Sequence, residues 1–197
     1  YQRAIDESPP VKALFSLDAD GSRLRYVGEL GDHPIWHPRH DLILANVGRF
    51  AGGRSLALFH GWEAGPIISI QGIRGGGHPS FSPDARYILT DRYYTRGSEA
   101  RMRVVLLDPQ EKTEKVLADL PNPGHRKALL HAIDERPPGQ AVVDEIATYH
   151  TPDNPVVTQA HPSWSRDGRF VVFNGDDTGR SQLYLVDIAS AVGAGLT

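Results

Sequence analysis

An all-β fold of four-stranded antiparallel blades, a β-propeller, is what this 197-residue sequence predicts, and three observations carry the prediction. First, the stretch Gly77-His78-Pro79-Ser80-Phe81-Ser82-Pro83-Asp84-Ala85-Arg86-Tyr87-Ile88-Leu89-Thr90-Asp91 recurs as His161-Pro162-Ser163-Trp164-Ser165-Arg166-Asp167-Gly168-Arg169-Phe170-Val171-Val172-Phe173-Asn174. A weaker copy is His33-Pro34-Ile35-Trp36-His37-Pro38-Arg39-His40-Asp41-Leu42-Ile43-Leu44-Ala45-Asn46. Second, His33 and His78 stand 45 residues apart, within the period of roughly 40–45 residues expected of propeller blades. Third, 20 glycines and 15 prolines are scattered along the chain, which suits short strands joined by tight turns better than long helices.

Taken in order, residues 1–10 are polar and end in Pro9-Pro10, so they read as a lead-in outside any strand core. Ala13 to Asp18 and Arg23 to Val27 flank Ala19-Asp20-Gly21-Ser22, a hairpin with a glycine-bearing turn. The next unit begins at His33, turns at Pro38 to Asp41, and continues through Leu42 to Ala45, Ser55 to Phe59 and Pro66 to Ile70. Gly72 to Gly77 is a glycine-rich link. The third unit repeats the order with His78 to Phe81, Arg86 to Thr90, Met102 to Leu107 and Lys115 to Leu120. The last runs through His161 to Ser163, Phe170 to Phe173 and Gln182 to Val186, without a clear fourth strand.

The blade parts are therefore about 11–30, 33–70, 78–120 and 156–190, with a long loop over 121–155. Two blades are complete and two partial, against a usual minimum of about four for a closed ring. The expectation is a single domain over 1–197 that forms part of a larger ring, completed by further blades of a parent chain or by another subunit. The absence of an initiator methionine points the same way, to a processed or excised piece.

Composition removes several functions. A formal net charge of −3 offers no basic stripe for nucleic acid or an anionic membrane surface. No run of about 18 apolar residues is present to insert into a membrane. With no cysteine, disulfides and thiol chemistry are excluded.

The motif Trp164 to Phe173, followed by Gly179-Arg180-Ser181-Gln182-Leu183-Tyr184-Leu185-Val186-Asp187, resembles the TolB-type repeat of six- and seven-bladed propellers, and seven blades are expected here. The fuller string Gly77 to Asp84 with Ile88 to Asp91 is most similar to the oligogalacturonate-lyase and ulvan-lyase side of that group. The resemblance implies a secreted or periplasmic propeller that cleaves acidic, uronate-containing oligosaccharides by β-elimination. In some members it implies a divalent metal held by histidines and a glutamine. A charged residue expected shortly before the last His-Pro is replaced here by Val157-Thr158-Gln159-Ala160.

Equivalent positions of successive blades lie at one height around a propeller axis, so His33, His78 and His161 are expected to converge. Imidazoles at one level supply a trigonal set of nitrogens for Zn²⁺ or Mn²⁺, with Gln159 or water completing the shell. A histidine before proline also serves simply to cap a strand by bonding a backbone carbonyl. Asp91-Arg92-Tyr93-Tyr94 and Asn174-Gly175-Asp176-Asp177 are expected in loops opening on the same face.

A lyase must neutralise the uronate carboxylate, take the C5 proton and protonate the leaving oxygen, for which Arg92, Tyr94 and His150 are the candidates. Tyr93 and Tyr94 read equally as a solvent-facing pair or a sugar-stacking surface, and Asp176 to Gly179 as a hairpin turn. His37, His40 and His60 read as surface residues. The 121–155 segment, with His125, Arg126, Lys127, His131, Tyr149 and His150, is expected as a solvated excursion or a lid. A non-catalytic TolB-like scaffold gripping a protein or ligand is the alternative to the lyase. A peptidase-gating propeller would need a catalytic domain elsewhere, since no Gly-x-Ser-x-Gly elbow occurs.

Overall fold

A computed structural model describes residues 12–30, 32–50, 53–63, 68–122 and 158–189. Thirteen strands in this part of the chain form four antiparallel sheets, each ordered as its strands follow in sequence. The first is the hairpin β1 (Lys12–Ser16) and β2 (Arg25–Leu30). The second contains β3 (Asp32–Trp36), β4 (Leu42–Phe50), β5 (Gly53–His60) and β6 (Ile68–Arg74). The third contains β7 (Ser80–Phe81), β8 (Ile88–Arg96), β9 (Glu99–Asp108) and β10 (Thr113–Pro121). The fourth contains β11 (Ser163–Trp164), β12 (Phe170–Gly175) and β13 (Gln182–Asp187). No helix among the described residues is long and apolar enough to cross a membrane.

The turn after the first strand of a sheet is built twice from the same residue types. Ser82 Oγ accepts from the Tyr87 amide at 2.9 Å and donates to Asp84 Oδ1, which accepts from the Arg86 amide at 3.1 Å. Ser165, Asp167, Arg169 and Phe170 repeat this with distances of 2.6–3.0 Å. A short polar side chain that satisfies its own turn competes well with continued strand, so the chain reverses here. The turn needs one left-handed residue, Gly168 at φ 72° in one copy and Ala85 at φ 64° in the other. Where the weak copy has His37 in place of serine, Nδ1 accepts from the Arg39 and His40 amides at 3.1 and 3.2 Å.

Packing follows the period of two. In β8, Ile88 faces Leu44, Leu56, Val105 and Leu107, whereas Leu89 faces Met102, Val104, Ala160, Val171 and Phe173. Each inner sheet is thus apolar on both faces, one against the sheet before it and one against the sheet after. The hairpin joins the row in the same way, placing Leu14 and Val27 on Ile43, Ala45, Val47 and Phe59. Sheets stacked face to face, with their first strands short and their connections running to the next sheet, are propeller blades.

Two expectations are corrected. Residues 91–94 lie within β8 and Asn174-Gly175 within β12, because the ladder to β9 continues from Ile88 as far as Arg96 opposite Glu99, and that to β13 continues to Gly175 opposite Gln182. Strand β6 likewise runs through Gly72 to Arg74, into the stretch expected as a link. Asp176 to Gly179 does turn, with the Gly179 amide on the Asp176 carbonyl at 2.8 Å. Of the expected long loop, Pro121 ends β10 and residues 123–157, including His125, His131 and His150, lie outside the described residues.

Candidate functional site

Each of the three repeated histidines precedes a proline. His33 and His161 hold left-handed backbone at φ 52° and 41°, a region that non-glycine residues rarely adopt and that is especially unfavourable before proline. His78 is reached instead through Gly76 and Gly77, at φ 120° and 70°. Gly77 is required twice over, since a Cβ there would also fall on the carbonyl and Oδ1 of Asp91. These turns bring together imidazoles from three different blades. The His33 and His78 ring centroids are 4.4 Å apart at an interplanar angle of 62°, and those of His78 and His161 are 3.7 Å apart at 33°.

Below the middle ring sits a fully buried carboxylate. Asp91, at 0% exposure, receives the His78 amide at 2.6 Å and His78 Nδ1 at 3.0 Å on Oδ1 and 2.9 Å on Oδ2. Its Oδ2 also accepts from Tyr93 Oη at 2.7 Å and, more weakly, from the His161 amide at 3.4 Å. Tyr93 Oη in turn accepts from the Ala160 amide at 2.8 Å. Burial alone raises the Asp91 pKa, but the hydrogen bonds from His78 and the Tyr93 hydroxyl hold the carboxyl below its usual range. Tyr93 is pushed far above its ordinary value by burial and by Asp91, so it keeps its hydroxyl hydrogen.

Burial, assisted by the neighbouring His78, lowers the pKa of both His33 and His161, with Asp32 opposing it at His33. Both rings are therefore neutral at pH 7 and keep a lone pair for a ligand. Gln159 Oε1 lies 3.0 Å from His161 Nε2.

Arg92 and Tyr94 point to the opposite face of β8 from Asp91, as alternate residues of a strand must. Arg92 pairs with Glu114 at 2.5 Å. The Tyr94 hydroxyl donates to Asp119 at 2.7 Å, within a cluster completed by Arg101 and Arg103. The pleat thus separates Arg92 and Tyr94 from the histidines, and the loop that was to bring them together is a strand. His150 lies outside the described residues.

The site residues missing from the sequence reading are Asp91 as the partner of His78, and Tyr93 behind it. Their signal is a fixed spacing: Asn46, Asp91 and Asn174 each follow the repeat histidine by 13 residues.

Three imidazoles and an amide oxygen form a donor set suited to Zn²⁺, extended towards Mn²⁺ by the oxygen. The 3.0 Å between Gln159 Oε1 and His161 Nε2 is also the separation of adjacent ligands around a six-coordinate cation with bonds of about 2.1 Å. The donor types fit a divalent metal. His33 meets the His78 ring edge-on and His161 lies tilted against it, however, where the sequence reading expects a trigonal set of nitrogens, and among the described residues no group of three His, Asp or Glu side chains is placed to hold a metal ion.

Blades in sequential stacking, with one histidine apiece where three first strands begin, define the class as a β-propeller. No family model and no curated protein matches the chain. Among solved structures it is similar to an oligogalacturonate lyase from Vibrio parahaemolyticus, with a TM-score of 0.61 and 14% identity over 91% of this chain and 42% of that one. It is also similar to TolB from Acinetobacter baumannii, with a TM-score of 0.55 and 19% identity over 89% of this chain and 35% of that one. The chain spans less than half the length of either structure. At these identities the likeness is one of fold, that of a β-propeller.

Proposed function

We propose that the protein is a carbohydrate-active propeller that cleaves uronate-containing oligosaccharides by β-elimination at the histidine cluster, in the periplasm or outside the cell. The observation carrying this reading is the contact of His33, His78 and His161 across three blades, with the middle ring fixed by a buried carboxylate. Strand capping alone needs no contact between the caps. Similarity to an oligogalacturonate lyase supports the substrate class.

In this reading His33, His78, His161 and Gln159 hold a divalent cation, Mn²⁺ or Zn²⁺. When bound, it supplies positive charge against the uronate carboxylate. Asp91 holds the Nδ1 proton of His78, so Nε2 presents its lone pair. In the elimination the C5 proton leaves to a base, its electron pair forms the C4–C5 double bond, the C4–O bond breaks, and the departing oxygen takes a proton from water. His150 is proposed as that base, while Arg92 and Tyr94 remain in their blade pairings and take no part.

The test is incubation with oligogalacturonate and with ulvan, with and without Mn²⁺ or Zn²⁺, alongside calorimetric titration of the cation. The reading expects cation binding by the native chain, unsaturated product, and loss of both in His78→Ala and His161→Ala. No cation binding and no product would refute it. The second reading, a TolB-like scaffold that binds a protein or ligand without chemistry, is favoured by the similarity to TolB. It expects no retained metal and a binding function indifferent to those two substitutions.

A further inference from the structure

We propose that Asp91 is the positioning residue of this site: it locks His78 in the tautomer with hydrogen on Nδ1 and a free lone pair on Nε2, and it ties the His161 turn to the same carboxylate. The inference rests on the reading of the histidine cluster as the functional site.

An ionised carboxylate only accepts hydrogen bonds. With both Asp91 oxygens within 3.0 Å of His78 Nδ1, the ring hydrogen has to lie on that nitrogen. The hydroxyl of Tyr93 is not a competing acceptor on the carboxylate side. It receives the Ala160 N–H, so its own hydrogen is directed at Asp91 Oδ2. Among the described residues nothing bonds His78 Nε2, which leaves that nitrogen to meet a cation or a substrate proton. The same carboxylate oxygen receives the His161 amide, and Tyr93 holds Ala160 just before it. One buried group of the third blade therefore sets the ring orientation of His78 and anchors the backbone from which His161 projects.

The repeat contains its own control. At the equivalent position of the blade before, Asn46 bonds the Gly76 amide and the Gly77 carbonyl, together with Asp32. In the blade after, Asn174 bonds the carbonyls of Gln159 and Ala160. An amide thus suffices to hold the start of a blade. Only at position 91 does the group face an imidazole, and only there is it a carboxylate. Asparagine at 91 would keep an oxygen for the His78 amide and turn its NH₂ towards Nδ1. The ring would then have to accept on Nδ1 and carry its hydrogen on Nε2.

The experiment is a long-range ¹H–¹⁵N spectrum of the imidazoles in the full chain at about pH 8, above the usual histidine range, for the native protein, Asp91→Asn and Asp91→Glu. The expected result is His78 protonated on Nδ1 in the native protein and in Asp91→Glu, switched to Nε2 in Asp91→Asn, with His37, His40 and His60 unchanged as internal references. Affinity for Mn²⁺ or Zn²⁺ should fall by about ten- to a hundredfold in Asp91→Asn. If Asp91→Asn does not fold, the native spectrum alone decides: His78 protonated on Nε2 overturns the proposal. Equal tautomers in native protein and a folded Asp91→Asn overturn it as well. A tautomer switch in protein that yields no lyase product supports the positioning role and refutes the proposed reaction, so the two failures are separable.

Discussion

Replacing Gly77 with alanine tests the backbone on which the site is built. Left-handed backbone costs a non-glycine residue about 1–2 kcal/mol, and Gly77 stands at φ 70°. The new Cβ also meets the Asp91 carbonyl and Oδ1, and strand backbone of β8 cannot swing aside as a side-chain tip would. Moving Asp91 weakens its bonds from the His78 amide and Nδ1, and a hydrogen bond to a charged group is worth about 1.5–3 kcal/mol. Gly77→Ala should therefore cost about 3–5 kcal/mol. Gly97 is the control, since its φ is 60° and a Cβ there would meet nothing within 4 Å; Gly97→Ala should cost only about 1 kcal/mol. Urea unfolding followed by tryptophan fluorescence measures both, provided the m-values agree. A Gly77→Ala cost no larger than that of Gly97→Ala would refute the close-approach argument.

Three further outcomes are expected. Ala85→Gly should raise stability by about 0.5–1 kcal/mol in the same urea assay, because Ala85 occupies at φ 64° the turn position that its repeat fills with Gly168. Met102→Ala should cost about 2–4 kcal/mol because Met102 is buried between the third and fourth blades, while Leu183→Ala, on the exposed face of β13, should cost under about 0.5 kcal/mol in this chain. The Asp119 carboxyl is held at about 2: burial works to raise it, but bonds from Tyr94, Arg101 and Arg103 prevail. A depressed folded pKa stabilises the fold above the unfolded value of 3.8 and loses that contribution as pH falls towards 2. Discounted for solvent screening, this is roughly 1 kcal/mol, so the stability gap between native protein and Asp119→Asn should close over that window in acid titrations at low denaturant.

The blades were legible because their signals are local and periodic. The Ser-x-Asp turn of two copies, and the apolar runs of β4, β8 and β12 that begin at a similar distance after each repeat histidine, follow from the chain itself. The gathering of His33, His78 and His161 was legible for the same reason, since repetition along the chain becomes stacking in space. Strand length was not. Asp91 to Arg96 are polar or aromatic and read as a loop, yet pairing with Glu99 to Val104 keeps them in β8. That single extension decides the site, because it sends Asp91 and Tyr93 to one face and Arg92 and Tyr94 to the other. The carboxylate beneath His78 depends on a ring-to-strand contact and a glycine conformation, neither of which hydropathy records.

The measurement that bears most directly on the account is Mn²⁺ titration of the chain, with its specific line broadening followed at every described imidazole. His33, His78 and His161 should broaden together at low Mn²⁺ while His37, His40 and His60 stay sharp. Broadening spread evenly over all six, or first at His37 and His40, would contradict it.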